Sequence, residues 1–297
     1  MAIITIQCKS ANDIIDCLDP ENFIWREKAE KHWIFRGQKN ARWKLTPPAF
    51  RPNTQLDYHQ RTKKAPLSNI EDQNRLEHRA LNQFFRMARE VGEEAPEYCL
   101  TLSTQNGPCK EVAPTFRNGA WPPAFLMPAM AMAQHSGIPT RLLSFTYKPL
   151  YALFFAAMDA FRDPEPKTQI AVWGIDIDFL YTVNKRIYNR FEFVTLPGKD
   201  DRHLDNQYGV FVLDRSLNQY WPRLRPDYDQ ILSDLHEQHN DSPMYEDSIP
   251  PVYKLIVPVK EACEILIQLA EKDVTGAHLK PSYPEIAAWL KFKRQFL

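Results

Sequence analysis

Three short segments of this chain hold polar groups where folded proteins ordinarily place apolar ones. The first is Trp33-Ile34-Phe35-Arg36-Gly37-Gln38, in which a guanidinium closes an apolar, β-branched run just before a glycine. Taking an unpaired arginine out of water costs several kcal/mol, so the fold must neutralise it with a carboxylate or reserve it for an anionic ligand. Its planar fork of donors suits phosphate. The second segment runs from Gln134 to Thr146, QHSGIPTRLLSFT, where a Gly-x-Pro elbow carries Thr140, Arg141, Ser144 and Thr146 on a rigid turn and short strand between two apolar helices. Polar groups left there must form a network or line a cleft. The third is Arg202 to Leu213, where Gln207 precedes a glycine-containing strand and can donate to and accept from a ribose hydroxyl at once.

Each segment also has a purely structural reading. Arg36 can be one half of an internal salt bridge. His135 can cap its helix or sit satisfied in the core. Ser144 and Thr146 can cap the helix that begins near Pro149, and Gln207 can satisfy its own turn.

Composition narrows the classes of function. Lys plus Arg and Asp plus Glu each total 37, so no overall field draws the chain to nucleic acid or membrane, and a polyanion must be held locally. No apolar stretch approaches the roughly 20 residues that span a bilayer, and the first residues lack a leader pattern, so a cytoplasmic protein without membrane contact is expected. The five cysteines are scattered without C-x-x-C spacing, which argues against a disulfide framework and a zinc site; no metal is expected. Dinucleotide-fold, P-loop, zinc-peptidase and serine-hydrolase signatures are absent.

The spacing of apolar residues predicts strands at His32–Arg36, Ile170–Ile175, Tyr208–Leu213 and Val252–Val257. It predicts helices over Ile70–Val91, Ala124–Gln134 with a stop at Gly137, Pro149–Phe161, Glu261–Lys272 and Tyr283–Phe296. The irregular order favours an α+β domain with a mixed or antiparallel β core flanked by helices. Irregular insertions are expected near 38–69, 92–123 and 214–251, and Asp227–Pro251 reads as a mobile loop.

Taken together the three segments resemble the FRG domain, named for the Phe-Arg-Gly that stands here as Phe35-Arg36-Gly37. The family pattern also runs through Gln-His-x-Gly-x-Pro-Thr-Arg-Leu-Leu-Asp-Trp-Thr, an Ala-Leu-Phe-Phe-Ala helix matched by Ala152 to Ala156, and Arg-x-x-x-Gln-x-Gly-x-Phe. Ser144 and Phe145 depart from it where the family has Asp and Trp. The resemblance covers about residues 30 to 290 and implies a single FRG domain over 1–297. It further implies an ADP-ribosyltransferase-like fold, NAD as substrate, and ADP-ribose transfer to a macromolecular acceptor, with RNA a candidate. Some relatives are toxins of antiphage systems that include an antitoxin and a chaperone-like partner. Two other functions stay open: an effector that hydrolyses NAD, and a module that binds a ligand or partner without chemistry.

Under that resemblance Arg36, Gly37, Gln38, Thr140, Arg141, Ser144 and Thr146 are expected to bind NAD, with Gly37 letting the dinucleotide reach the backbone. Arg36, His135 and Gln207 are expected to serve the reaction. No glutamate stands out as the group that bonds the ribose; Gln207 takes that place by position, and Glu285 fits a capping box in Ser282-Tyr283-Pro284-Glu285. The stretch Lys39, Arg42, Lys44, Arg51, Arg61, Lys63 and Lys64, interleaved with Trp43, Phe50 and Tyr58, is the candidate nucleic-acid surface, since cations beside aromatic platforms suit single strands. A protein acceptor is equally compatible.

Overall fold

The computed structural model describes residues 3–22, 25, 32–56, 64–65, 67–93, 121–163, 168–186, 190–195, 207–220, 226–239 and 251–296. Its centre is a seven-stranded sheet. The strands are β1 (Ile3–Gln7), β2 (Trp33–Gln38), β5 (Leu143–Thr146), β6 (Gln169–Asp176), β7 (Phe191–Val194), β8 (Gly209–Asp214) and β9 (Val252–Pro258), in the order β1-β9-β6-β2-β5-β8-β7. Only β1 and β9 run parallel; the other neighbours are antiparallel, so the sheet is mixed. A separate two-stranded ladder joins β3 (Thr54–Gln55) to β4 (Lys64–Ala65).

Helices cover both faces, because the pleat sends alternate apolar residues of the central strands to opposite sides. Against one face lie Ala11–Leu18, Pro149–Phe161 and Ala262–Glu271, packed on Phe35, Val172, Leu255 and Val257. Beside them Met127–His135 and the long Ile70–Glu90 helix enclose Phe211 and Leu213. The opposite face, with Ile34, Phe145, Trp173 and Val212, is closed by Ile177–Arg186 and Tyr228–His239.

The Pro149–Phe161 helix is apolar nearly all round because it is enclosed nearly all round. Leu153, Phe154, Ala156 and Ala157 are buried, and each large side chain among them contributes about 1.5–3 kcal/mol. Met127–His135 ends as its glycine predicts: Gly137 sits at φ 95°, and Ile138 N–H donates back to the Ala133 carbonyl at 2.9 Å.

Residues 39–56 are largely irregular, as expected, but packed: Ala49, Phe50 and Leu56 are buried against Leu76 and Ala80 of the long helix. Other expectations need correction. Part of Asp227–Pro251 is the helix Tyr228–His239, whose Tyr228, Ile231, Leu232 and Leu235 recur at helical spacing and are buried. The polar residues between them concealed that stripe. β1, the Ala11–Leu18 helix, Ile177–Arg186 and β7 were not anticipated. Residues 94–120 and 240–250 lie outside the described residues.

Candidate functional site

The ladder on one side of β2 is complete: Trp33 to Gln38 pair residue by residue with Asp176 to Ala171 of β6. On the other side a single pair, Phe35 with Thr146 of β5, is made before the two strands part. A cleft of about 310 Å³ occupies the parting. Its walls come from Phe35 to Gly37, from Ser144 to Thr146, and from the two helices that flank the gap.

Arg36 fills the place where the ladder stops. Its Nη1 donates to the Ser144 carbonyl at 2.7 Å and to Ser144 Oγ at 2.8 Å, and its Nε is buried without a hydrogen-bond partner. Among the described residues no carboxylate lies within ion-pair distance. Burial, reinforced by the like charge of Arg51 and opposed by Asp159, pushes the guanidinium pKa down to about 9. The group therefore remains a cation at neutral pH, held by neutral partners at the edge of a cavity.

Arg141 has the opposite surroundings and must be withdrawn from the ligand-binding set. It is fully buried and bidentate to Glu77 of the long helix, with Nε to Oε2 at 2.7 Å and Nη2 to Oε1 at 3.0 Å. Asn218 Oδ1 accepts a further bond at 2.8 Å, and Asn74 Oδ1 another. All its donating directions are taken by protein, and it does not line the cleft.

Thr140 and Gln38 also lie behind the walls. Thr140 Oγ1 donates to the Gln134 side chain, so it positions Gln134, which does line the cleft. Gln38 accepts from Trp173 Nε1 at 2.8 Å and donates to the Lys44 carbonyl at 3.0 Å, which spends its amide on the fold.

Gly37 does reach the cleft, but the reason for the glycine is different from the one expected. A Cβ at that position would stand 1.9 Å from the Ala152 carbonyl oxygen, so the absent side chain admits the Pro149–Phe161 helix, not a dinucleotide. Thr146 lines the cleft while its Oγ1 donates to the Gln207 carbonyl at 2.6 Å and accepts from the Lys148 N–H at 3.1 Å. It thereby ties β5 to Gln207, two residues ahead of β8, and shapes the chain's entry into the helix. Gln207 and His135 both line the cleft. The Gln207 amide nitrogen is committed to the Leu279 carbonyl at 3.2 Å, which makes it a tie to the Gly276–Leu279 turn and weakens its claim to the ribose. Arg202 lies outside the described residues.

The structure adds two charged residues that sequence reasoning missed. Asp159 is the one carboxylate among the lining residues; Ala152, Phe155 and Asp159 stand at i, i+3 and i+7 of one helix and together make a wall. The signal was present in PLYALFFAAMDAF, where Asp159 is the single charge in an otherwise apolar helix. Lys280 enters from just past the Gly276–Leu279 turn. Asp159 makes no hydrogen bond or ion pair among the described residues. Partial desolvation raises its carboxyl pKa above the ordinary value even though the side chain opens onto the cleft; Lys39, Arg162, Lys280 and Arg36 pull it the other way.

The stretch expected to hold nucleic acid is largely spent on the protein itself. Lys44 pairs with Asp227 at 3.1 Å and Lys39 with Asp163 at 2.8 Å, Arg51 Nε donates to the Thr46 carbonyl at 3.1 Å, and Phe50 is buried. Arg42 and Trp43 stay exposed. Tyr58, Arg61 and Lys63 lie outside the described residues. The Glu285 backbone N–H donates to Ser282 Oγ, as at a helix N-cap, and its carboxylate pairs with Arg162 at 3.6 Å, away from the cleft.

Residues 31–165 match the FRG domain family, a span that includes Arg36, the Gln134–Thr146 turn and the helix of Asp159. The chain carries an FRG domain. The FRG segment supplies most of the cleft, while Gln207, Gly209, Phe211 and Lys280 come from beyond it, so later strands complete the site. No curated protein and no solved structure matches the chain. Among the described residues no helix is long and apolar enough to cross a membrane.

Proposed function

We propose that the cleft binds NAD and that the protein transfers ADP-ribose from it to a macromolecular acceptor, on a fold of the ADP-ribosyltransferase type and in the setting of phage defence. The observation that carries this reading is the state of Arg36: a partly buried cation at a cavity wall, held among the described residues by Ser144 alone, with one donor unused. A protein that needed this arginine only for packing would have given it a carboxylate, as it gave Glu77 to Arg141.

A cleft of 310 Å³ stands at the small end of ligand pockets, which run from about 300 to 1,000 Å³. It holds a ribose with one neighbouring group, and the rest of a dinucleotide lies across the rim. Arg36 then grips a phosphate next to that ribose, Ser144 and Thr146 fix the strand edge, and the apolar Phe35, Phe155 and Phe211 exclude water from the bond that breaks. The acceptor arrives at the open side, where His135 stands. RNA is the acceptor to try first, with protein second, and an antitoxin with a chaperone-like partner would restrain such an activity in the cell.

Purified protein incubated with NAD labelled on the adenylate phosphate, together with RNA, DNA or cell lysate, should transfer label to one of them. Arg36→Ala should abolish the transfer and the toxicity together. Free ADP-ribose produced without any acceptor would make the protein a hydrolase, and intact NAD under all conditions would refute the reading.

A further inference from the structure

The cleft is bipolar. Arg36 and Lys280 bring positive charge, and Asp159 alone brings negative charge, without a hydrogen bond or ion pair among the described residues. Asp159 is the single charge on that helix, an exposed residue at the cleft wall whose carboxylate has no protein partner among the described residues and is open to a ligand. Its wall-mates Ala152 and Phe155 lie on the same helix face, which sets the exposed acid at the rim of the cavity.

We propose that Asp159 is the catalytic anion of this cleft, accepting a hydrogen bond from a ribose hydroxyl and stabilising the cation that forms on the sugar. The assignment rests on the ADP-ribosyl-transfer reading above and names the residue that reading lacked. In the step, the bond between C1′ and the nicotinamide nitrogen breaks, and its electron pair goes to that nitrogen, which leaves as neutral nicotinamide. The ribosyl group becomes an oxocarbenium-like cation beside the Asp159 carboxylate. The acceptor's nucleophile forms the new bond to C1′ and releases its proton to water. An anion placed in advance beside developing positive charge is what glycosidic cleavage requires, and a neutral amide such as Gln207 does not supply it. Arg36, at the other pole, holds the phosphate and keeps the sugar between the two charges.

The groups facing Asp159 are Arg36 and Lys39 from the β2 side, Arg162 at the end of its own helix and Lys280 across the cleft. Lys39 is also paired with Asp163 and Arg162 with Glu285, so each shares its charge between two carboxylates.

The test is NAD consumption by the full chain, read beside ADP-ribose binding and thermal melting. Asp159→Asn should lower kcat roughly 10²–10³-fold while ADP-ribose still binds and melting is preserved. The wild-type rate should fall as pH drops through the carboxyl's raised pKa, since the charged form is needed, and this acid limb should vanish in Asp159→Asn. An unchanged kcat, or an acid limb that persists in the variant, overturns the proposal and leaves the NAD reading standing. A wild-type protein that never consumes NAD overturns both. If Asp159→Asn melts without cooperativity, Asp159→Glu decides: it keeps the charge, so it should retain turnover with a displaced acid limb, and an unmoved limb overturns the proposal.

Discussion

Arg36 and Arg141 belong to the same FRG segment and look alike in sequence, each a guanidinium beside apolar residues and close to a glycine or proline turn. Their surroundings differ completely. Arg141 is closed by a bidentate carboxylate and two asparagines, whereas Arg36 has one serine and an open cavity. The contrast shows that the fold can neutralise a buried arginine when it needs a strut, and that leaving Arg36 unneutralised is a property of its position. One arginine joins the long helix to the turn at 140; the other waits at the end of a ladder.

That contrast can be broken by substitution, and the largest effect should come from the strut. Arg141→Ala leaves Glu77 buried without its counter-charge and should cost about 3–5 kcal/mol, read by urea or thermal unfolding. Adding Glu77→Leu to Arg141→Met should recover part of the loss, because a buried pair replaced by apolar groups is often tolerated. A second large effect is expected at the helix contact. Gly37→Ala forces a Cβ into the Ala152 carbonyl and should destabilise by about 1–3 kcal/mol or more, with NAD turnover falling alongside. Arg36→Met is the inverse of Arg141→Ala: it should leave the melting temperature unlowered and remove transfer of labelled ADP-ribose. Ser144→Ala should be milder, about 1 kcal/mol, because the backbone carbonyl keeps its bond to Arg36. The smallest effect belongs to Arg42→Ala with Trp43→Ala, both exposed, which should change stability by less than about 0.5 kcal/mol and test the basic stretch through RNA binding alone.

A pH dependence of stability follows from the residue next to Glu77 on the long helix. His78, on the long helix beside Trp121, is held by burial at a pKa of about 4, below its ordinary 6.5. The unfolded chain therefore takes up a proton that the folded chain refuses between those values. Stability should be full above about pH 6.5 and decline as pH falls toward 4. His78→Phe should flatten that slope in unfolding experiments at pH 4.5 and 7.

Much of the architecture was legible in the sequence because burial wrote it there. The Pro149–Phe161 helix and the β6 and β9 strands announced themselves by unbroken apolar composition, and Gly137 marked its helix end by a backbone angle few other residues adopt. What failed to show was anything that depended on a distant partner. Arg141 read as a site residue because Glu77, its counter-charge, is 64 positions upstream on a helix whose charges were taken for a solvated face. Gly37 read as room for a ligand because the backbone that fills it comes from 115 residues later, at Ala152. Asp159 gave no signal for the reverse reason: one charge in a helix this apolar is outweighed by the core composition around it. The Tyr228–His239 helix was lost because its polar face outweighed a four-residue apolar stripe.

The glycine contact has one more implication. Because the backbone of β2 touches the backbone of the Pro149–Phe161 helix with no side chain between, the cation on the strand and the acid on the helix are set apart by a rigid gauge with no padding to compress. Ligands must come to that fixed span; a guest whose anionic and hydroxyl groups are spaced too widely or too closely will reach one pole and miss the other.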